Sequence, residues 1–201
     1  MNTVEEIFAV LEERYGATRE THDKWGVTAV VSASYLHNAV KFLKEEAGIK
    51  FEMLVDIAGI DYLTYPNHEG PRFAVVYAFK SMSKPVSRIR LKVLVSEEDL
   101  KVPTITDFYA NANWYEREVY DQFGIVFTGH PDLRRLLNHV EFVGHPLRKD
   151  YPAQKRQWLS TNDFLLPQLE KRLEELGYKV VQRSKEVETN DNEFLEGSIK
   201  E

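Results

Sequence analysis

Between Phe51 and Val95 the chain holds three apolar stretches separated by turn chemistry. Residues 51–63 form the longest and enclose Asp56 and Asp61. Tyr65-Pro66-Asn67-His68-Glu69-Gly70-Pro71 breaks it with residues that favour turns. Phe73 to Phe79 follows, and then Ile89, Leu91, Val93 and Val95 alternate with Arg88, Arg90 and Lys92. That alternation is the mark of a strand with one wet face. Strands over 51–63, 73–80 and 87–95 predict an antiparallel meander, so the fold must be built around a sheet.

The flanks read as helical. Thr3-Val4-Glu5-Glu6 has the spacing of a capping box, Val4, Ile7, Phe8 and Leu11 recur at helical period, and Gly16 can close the helix. The spacing predicts a helix near 3–15, a strand over Trp25–Val31 and a second helix over Ser34–Ala47 carrying Leu36, Val40 and Leu43 on one face. Residues 107–123 are helical in character, with Thr106 or Asp107 as N-cap. Residues 124–152 are punctuated by Gly and Pro. A last helix is expected from Thr161 or Asn162 to Leu176, with a stripe of Leu165, Leu166, Leu169, Leu173 and Leu176. Its polar face mixes both charges, which favours docking on protein over coating a membrane.

Together these predict an α+β fold: a mostly antiparallel or mixed sheet with helices packed on one face, plus an irregular C-terminal extension. The expected divisions are a domain over 1–152, an extension with a helix over 153–183, and an acidic tail over 184–201. In that tail Glu186, Glu188, Asp191, Glu193, Glu196 and Glu201 outweigh Lys185 and Lys200, so disorder is expected there.

Composition narrows the chemistry. With no cysteine among 201 residues, disulfides, thiolate nucleophiles, thiolate zinc sites and Cys-ligated iron–sulfur clusters are excluded. A formal net charge of −6 makes nucleic acid a poor partner. No apolar run is long enough to span a membrane. The first residues lack a signal-peptide pattern, so a cytosolic chain is expected, free to dock on a membrane complex. Phosphate-binding glycine loops and nucleophile elbows are absent from the sequence.

The information is densest over 113–152. Tyr115, Val119 and Phe123 share one helical face and are expected to meet the core. Arg117 and Asp121 are an i, i+4 pair, while Glu118 and Asp121 put two carboxylates on neighbouring turns. Two such carboxylates can do acid–base work if one holds its proton. The stronger reading is that this acidic helix binds the basic stretch beyond it, where Arg134, Arg135, Arg148, Lys149, Lys155 and Arg156 outnumber Asp132, Glu141 and Asp150. Gly-His-Pro occurs at 129–131 and again at 144–146, each a stiff corner whose histidine can hold a loop. A zinc site from His130, His139 and His145 is the sharper alternative, but their spacing fits no compact ligand motif. Trp114, Tyr115, Tyr120 and Phe123 read as core more readily than as a stacking platform for a ring.

Glu-Arg-Glu-Val-Tyr-Asp at 116–121, Phe-Gly-Ile at 123–125, Gly-His-Pro-Asp-Leu-Arg-Arg at 129–135 and Gly-His-Pro-Leu-Arg-Lys-Asp-Tyr-Pro at 144–152 follow one another in order. This set resembles the 30-kDa-subunit family of respiratory complex I, the C-type subunits of bacterial NADH–quinone oxidoreductase. Asp-Ile-Ala-Gly-Ile-Asp-Tyr at 56–62, Phe-Ala-Val-Val-Tyr at 73–77 and Pro-Thr-Ile-Thr-Asp at 103–107 look like the same family. The likeness covers residues 50–152 closely and the first 50 loosely, and Gln122 departs from the family's usual apolar residue.

The resemblance implies a non-redox scaffold in the peripheral arm of a proton-translocating complex, on the cytoplasmic side of the bacterial inner membrane. It implies packing beside the 49-kDa-type (D) subunit near the quinone site, with FMN, iron–sulfur clusters and NADH on partner subunits. Glu116, Arg117, Glu118, Asp121, His130, Arg134, Arg135, His145, Arg148, Lys149 and Asp150 are the expected structural ion pairs or partner contacts. The equivalent subunit of a membrane-bound hydrogenase or a ferredoxin- or deazaflavin-linked oxidoreductase is the nearest alternative. A free-standing hydrolase or isomerase using Glu118 and Asp121 is the reading from a different class.

Overall fold

The structure, a computed structural model, describes residues 3–23, 26–82, 86–155, 157 and 159–178. The chain divides into two units: residues 1–138 with 145–150, and residues 139–144 with 151–201. The acidic stretch 184–201 lies outside the described residues.

The first unit is built on five strands: β1 (Thr18–Asp23), β2 (Gly26–Val31), β3 (Met53–Asp61), β4 (Phe73–Lys80) and β5 (Arg88–Val95), in the order β1-β2-β5-β4-β3. The meander of β3, β4 and β5 is antiparallel, as expected. The β2–β5 seam is parallel, so the sheet is mixed, with Ala29 beside Leu91 and Val31 beside Val93. Along β4, Phe73, Val75, Tyr77 and Phe79 are buried on one face, and Ile89, Leu91, Val93 and Val95 continue that face on β5. On the other face, Lys92 pairs with Glu20 and lies over the Tyr62 ring.

Helix α1 (Val4–Tyr15) starts on Thr3, whose hydroxyl accepts the Glu6 N–H, and stops at Gly16 in the left-handed region. It buries Ile7, Phe8 and Leu11. Helix α2 (Ala33–Lys41) is capped by Ser32 and runs into a π-type turn over Phe42–Glu46 before ending at Ala47. It buries Leu36, Ala39 and Val40, so the expected apolar face is the one that packs. Helix α3 (Ala112–Phe123) lies against β3, where the absence of a side chain on Gly59 admits the Phe123 ring. A Cβ at that glycine would sit 2.5 Å from the ring.

Several elements differ from the sequence reading. Strand β1 was not expected: its residues Thr-Arg-Glu-Thr-His-Asp have no apolar alternation, because an edge strand can be held by backbone pairing to β2 alone. Trp25, the expected start of the next strand, lies outside the described residues, and β2 is described from Gly26. Helix α3 begins at Ala112 rather than near Asp107, because Ile105 to Asn111 form successive turns through Phe108, Tyr109 and Ala112 N–H bonds. Asp107 caps nothing there; it meets His37 at 2.6 Å. Finally, β6 (Lys101–Pro103) and β7 (Val126–Thr128) form a parallel pair that flanks α3 in sequence and ties its two ends together. Each strand has only three residues, too few to show a period.

In the second unit, α4 (Ser160–Glu175) is capped from outside its own sequence. Glu141 accepts the Ser160 N–H at 2.8 Å and its hydroxyl as well, an acid at a helix N-terminus. Thr161 and Asn162, the expected caps, sit inside the first turn. None of the leucine stripe is buried, and Leu165, Leu169 and Leu176 are exposed.

Candidate functional site

A helix ends with unpaired carbonyls, and α3 has no basic residue in its own last turn to meet them. The basic stretch beyond supplies the donors. The Asp121 carbonyl accepts His145 Nδ1–H at 3.0 Å and Arg135 Nη1–H at 3.3 Å. The Gln122 carbonyl accepts the Leu147 N–H at 3.2 Å, and the Phe123 carbonyl accepts Arg148 Nε–H at 2.7 Å. Cations at this end also favour the helix dipole. Gly124 turns the chain with φ 77°, and a Cβ there would lie 2.6 Å from both Arg148 Nη2 and His145 Nε2. Arg148 also stacks its guanidinium 5.2 Å from the Phe73 ring.

The Asp121 side chain holds the same stretch from within. It is wholly buried and accepts Arg135 Nη1–H at 2.7 Å. It also takes the Leu136, Leu137 and Asn138 backbone N–H groups and the Asn138 side-chain amide. Burial alone works to raise its pKa, but these donors outweigh that and hold it at about 2. Such a carboxylate stays ionised and is no proton donor. Glu118 is exposed, so the alternative acid–base reading with Asp121 finds no support.

The expected Arg117–Asp121 pair is likewise replaced. Arg117 donates to the Arg134 and Arg135 carbonyls at 3.1 and 3.2 Å and lies 5.2 Å from the Trp114 ring. Glu116 is not ion-paired: it is wholly buried, and its partners are the Thr104 hydroxyl at 2.5 Å and the Ile105 N–H at 2.8 Å. The i, i+4 rule misled at Arg117 because its guanidinium finds backbone carbonyls that only the tertiary fold brings near.

A second anchor escaped the sequence reading. Asp61, at the end of β3, accepts Arg72 Nε–H at 3.1 Å and Nη2–H at 3.0 Å, a two-pronged contact. It also accepts the Leu63 N–H at 3.0 Å and the Lys149 N–H at 2.9 Å. Burial works against its ionisation, yet Arg72 and these amides hold its pKa below the usual range. Arg72 meets Glu97 at 2.7 Å and Asp150 at 2.8 Å as well, and its pKa is raised, chiefly by Asp61 and then by Asp150. The signal was an acid closing an apolar strand, and an arginine just before the next one.

The histidines are used locally. His130 accepts the Asp132 N–H on Nδ1 at 3.0 Å and donates from Nε2 to the Asn113 carbonyl at 3.2 Å. His139 accepts the Glu141 N–H at 3.2 Å. Burial, with Arg148 and Arg135 nearby, lowers the His145 pKa. Among the described residues no group of three or more His, Asp or Glu side chains is placed to hold a metal ion. Arg134 stays exposed beside Asp132 at 3.0 Å, and Lys149 is exposed.

The aromatics divide. Val119 and Phe123 are buried and Tyr115 and Tyr120 pack against the core, but Trp114 is 59% exposed. Leu137 and Leu147, in the anchored stretch, are 65% and 53% exposed. Two buried aspartates therefore fix a loop that turns large apolar and basic groups outward.

Residues 29–157 match the family model described as "Respiratory-chain NADH dehydrogenase, 30 Kd subunit", and the chain belongs to that family. Proteins named as the C subunit of NADH-quinone oxidoreductase, from Burkholderia mallei (strain SAVP1) and Burkholderia pseudomallei (strain K96243), are each 46% identical over 130 residues. The match spans 63% of this chain and 64% of theirs. A solved structure described as Nqo5 of the trypsin-resistant fragment (1-134) is 40% identical, with a TM-score of 0.55 over 65% of this chain and 96% of that one. A chain of the membrane-bound sulfane sulfur reductase, an archaeal respiratory membrane complex, shares the fold with a TM-score of 0.59 over 90% of this chain and 95% of that one, at 22% identity. Among the described residues no helix is long and apolar enough to cross a membrane.

Proposed function

We propose that this chain is a non-redox scaffold subunit of the peripheral arm of a proton-translocating NADH–quinone oxidoreductase. It packs beside the 49-kDa-type (D) subunit near the quinone site, peripheral to the membrane on its cytoplasmic side. Flavin, iron–sulfur clusters and NADH bind on partner subunits, and this chain supports electron transfer by holding its neighbours in place. The observation that carries the reading is the anchored stretch, in which Asp121 binds the Leu136–Asn138 amides and Asp61 binds that of Lys149, leaving Leu137 exposed. Membership of the 30-kDa-subunit family supports it.

The test is purification of the tagged chain from native membranes in mild detergent, with native mass spectrometry and an NADH–quinone assay. Co-purification with flavin and iron–sulfur subunits, with activity, is the result expected. Leu137→Asp and Trp114→Ala change exposed side chains, so each should keep the chain's melting temperature while reducing co-purification. Hydrogenase-type or ferredoxin-linked partners would replace NADH with another donor. A solitary chain, or both variants assembling normally, would overturn the scaffold reading.

A further inference from the structure

Three carboxylates are buried among the described residues: Asp61, Asp121 and Glu116. The first two face arginines, but Glu116 is hydrogen-bonded to no cation. Oε2 accepts the Thr104 hydroxyl at 2.5 Å and Oε1 accepts the Ile105 N–H at 2.8 Å. Thr104 Oγ1 lies 3.0 Å from Thr106 Oγ1 and also accepts the Thr106 N–H at 3.2 Å. Both threonines are half-buried, so the hydroxyl pair links the wholly buried carboxylate to two residues that solvent partly reaches.

We propose that Glu116 is a reversible proton-binding site, loaded from solvent through the Thr104–Thr106 hydroxyl pair. A water-borne proton binds Thr106 Oγ1 while the Thr106 hydroxyl proton passes to Thr104 Oγ1. The Thr104 proton then passes to Glu116 Oε2. One O–H bond is gained at the carboxyl, each threonine keeps one, and the donating water loses the proton. In the charged state Thr104 donates to Glu116 and accepts the Thr106 hydroxyl and N–H. In the neutral state it accepts Glu116 O–H and the Thr106 N–H and donates to Thr106 Oγ1. A hydroxyl has one donor and two acceptor sites, so Thr104 is satisfied in both states. Ile105 N–H stays on Oε1 throughout.

Burial and Asp107 favour the proton, while the hydrogen bonds from Thr104 and Ile105 oppose it. Tyr77 of β4 is wholly buried, its hydroxyl has no hydrogen-bond partner among the described residues, and it feels the Glu116 charge. Asp107, in the turn before α3, adds negative charge, although His37 of α2 pairs with it. Arg117, next along α3, is turned to the Arg134 and Arg135 carbonyls, and His130 is bound to the Asn113 carbonyl. Burial pushes the Glu116 pKa up to about 7 against the pull of its two hydrogen bonds, and Asp107 adds to the rise.

The experiment follows carboxyl carbons by NMR in the full chain labelled at glutamate, with Glu116→Gln for assignment. One glutamate should titrate with a midpoint of about 7. Thr104→Val removes a donor to the charged form, so it should raise that midpoint by about one pH unit, and Thr104→Ser should restore it. A glutamate set titrating wholly in the ordinary carboxylate range overturns the proposal, and this wild-type result does not depend on Glu116→Gln folding. A near-neutral midpoint that Thr104→Val leaves unmoved also overturns it, because the hydroxyl pair would then not be coupled to the proton.

Discussion

Arg135 Nη1 bonds Asp121 twice, at the carboxylate oxygen at 2.7 Å and at the backbone carbonyl at 3.3 Å. One guanidinium thus neutralises the buried acid and closes the end of its helix. Asp121→Ala would remove the carboxylate that Arg135 and three backbone amides share, a loss of about 3–5 kcal/mol. Urea unfolding measures it. Glu118→Ala, three residues earlier on the exposed side, should stay within about 0.5 kcal/mol of the parent.

Arg72 serves carboxylates in two settings. Its contact with Asp61 is buried and two-pronged, so Arg72→Ala should cost about 3–5 kcal/mol, and Arg72→Lys should recover only part because an ammonium lacks the fork. Glu97 is 58% exposed at the same guanidinium, so Glu97→Gln should cost at most about 1 kcal/mol. Equal losses at Asp61 and Glu97 in a double-mutant comparison would show that burial does not set the strength of these pairs.

At Gly124 the positive φ and the closeness of Arg148 and His145 act together. Gly124→Ala should cost about 1–3 kcal/mol and push the Arg148 guanidinium off its seat. Amide exchange over 145–150 reports it: the Leu147 N–H, bonded to the Gln122 carbonyl, should exchange faster, while amides of β4 and β5 hold.

Two acids should shape the pH profile in opposite senses. The folded pKa of Asp121 is depressed, so its contribution is full above the unfolded value of 3.8 and is lost as pH falls through about 2, roughly 2 kcal/mol in all. The folded pKa of Glu116 is raised, so its contribution is full below the unfolded value of 4.5 and is lost as pH rises through about 7, on the order of 3 kcal/mol. Chemical denaturation across pH 4.5–7 should show Glu116→Gln gaining on the parent as pH rises. A constant difference between the two would contradict the assignment.

What the sequence disclosed, and what it did not, follows the range of the forces involved. The Thr3 cap, the Gly16 stop and the alternation of Arg88–Val95 are local, and they lie where the sequence pattern put them. Strand β1 and the β6–β7 pair are held by backbone bonds to their partner strands, which leave no mark on side-chain pattern. At the site, the excess of acid on α3 and of base beyond it was legible as charge. Which acid met which base was not, because Asp121 reaches Arg135 across a turn and Asp61 reaches Lys149 across the fold. Glu116 was the least legible: a glutamate beside an arginine reads as an ion pair, and only its burial beside Thr104 shows otherwise.

The parallel seam between β2 and β5 orders the birth of the fold. β1 and β2 are made well before the strand that completes their side of the sheet, which follows only after α2, β3 and β4. Until then Val27, Ala29 and Val31 lack the β5 partners Ile89, Leu91 and Val93. The later hairpins, β3 with β4 and β4 with β5, close between sequence neighbours and need not wait. The nascent β1–β2 pair is therefore a stretch that a chaperone has reason to shelter, and a chain interrupted before Arg88 has a sheet it cannot close.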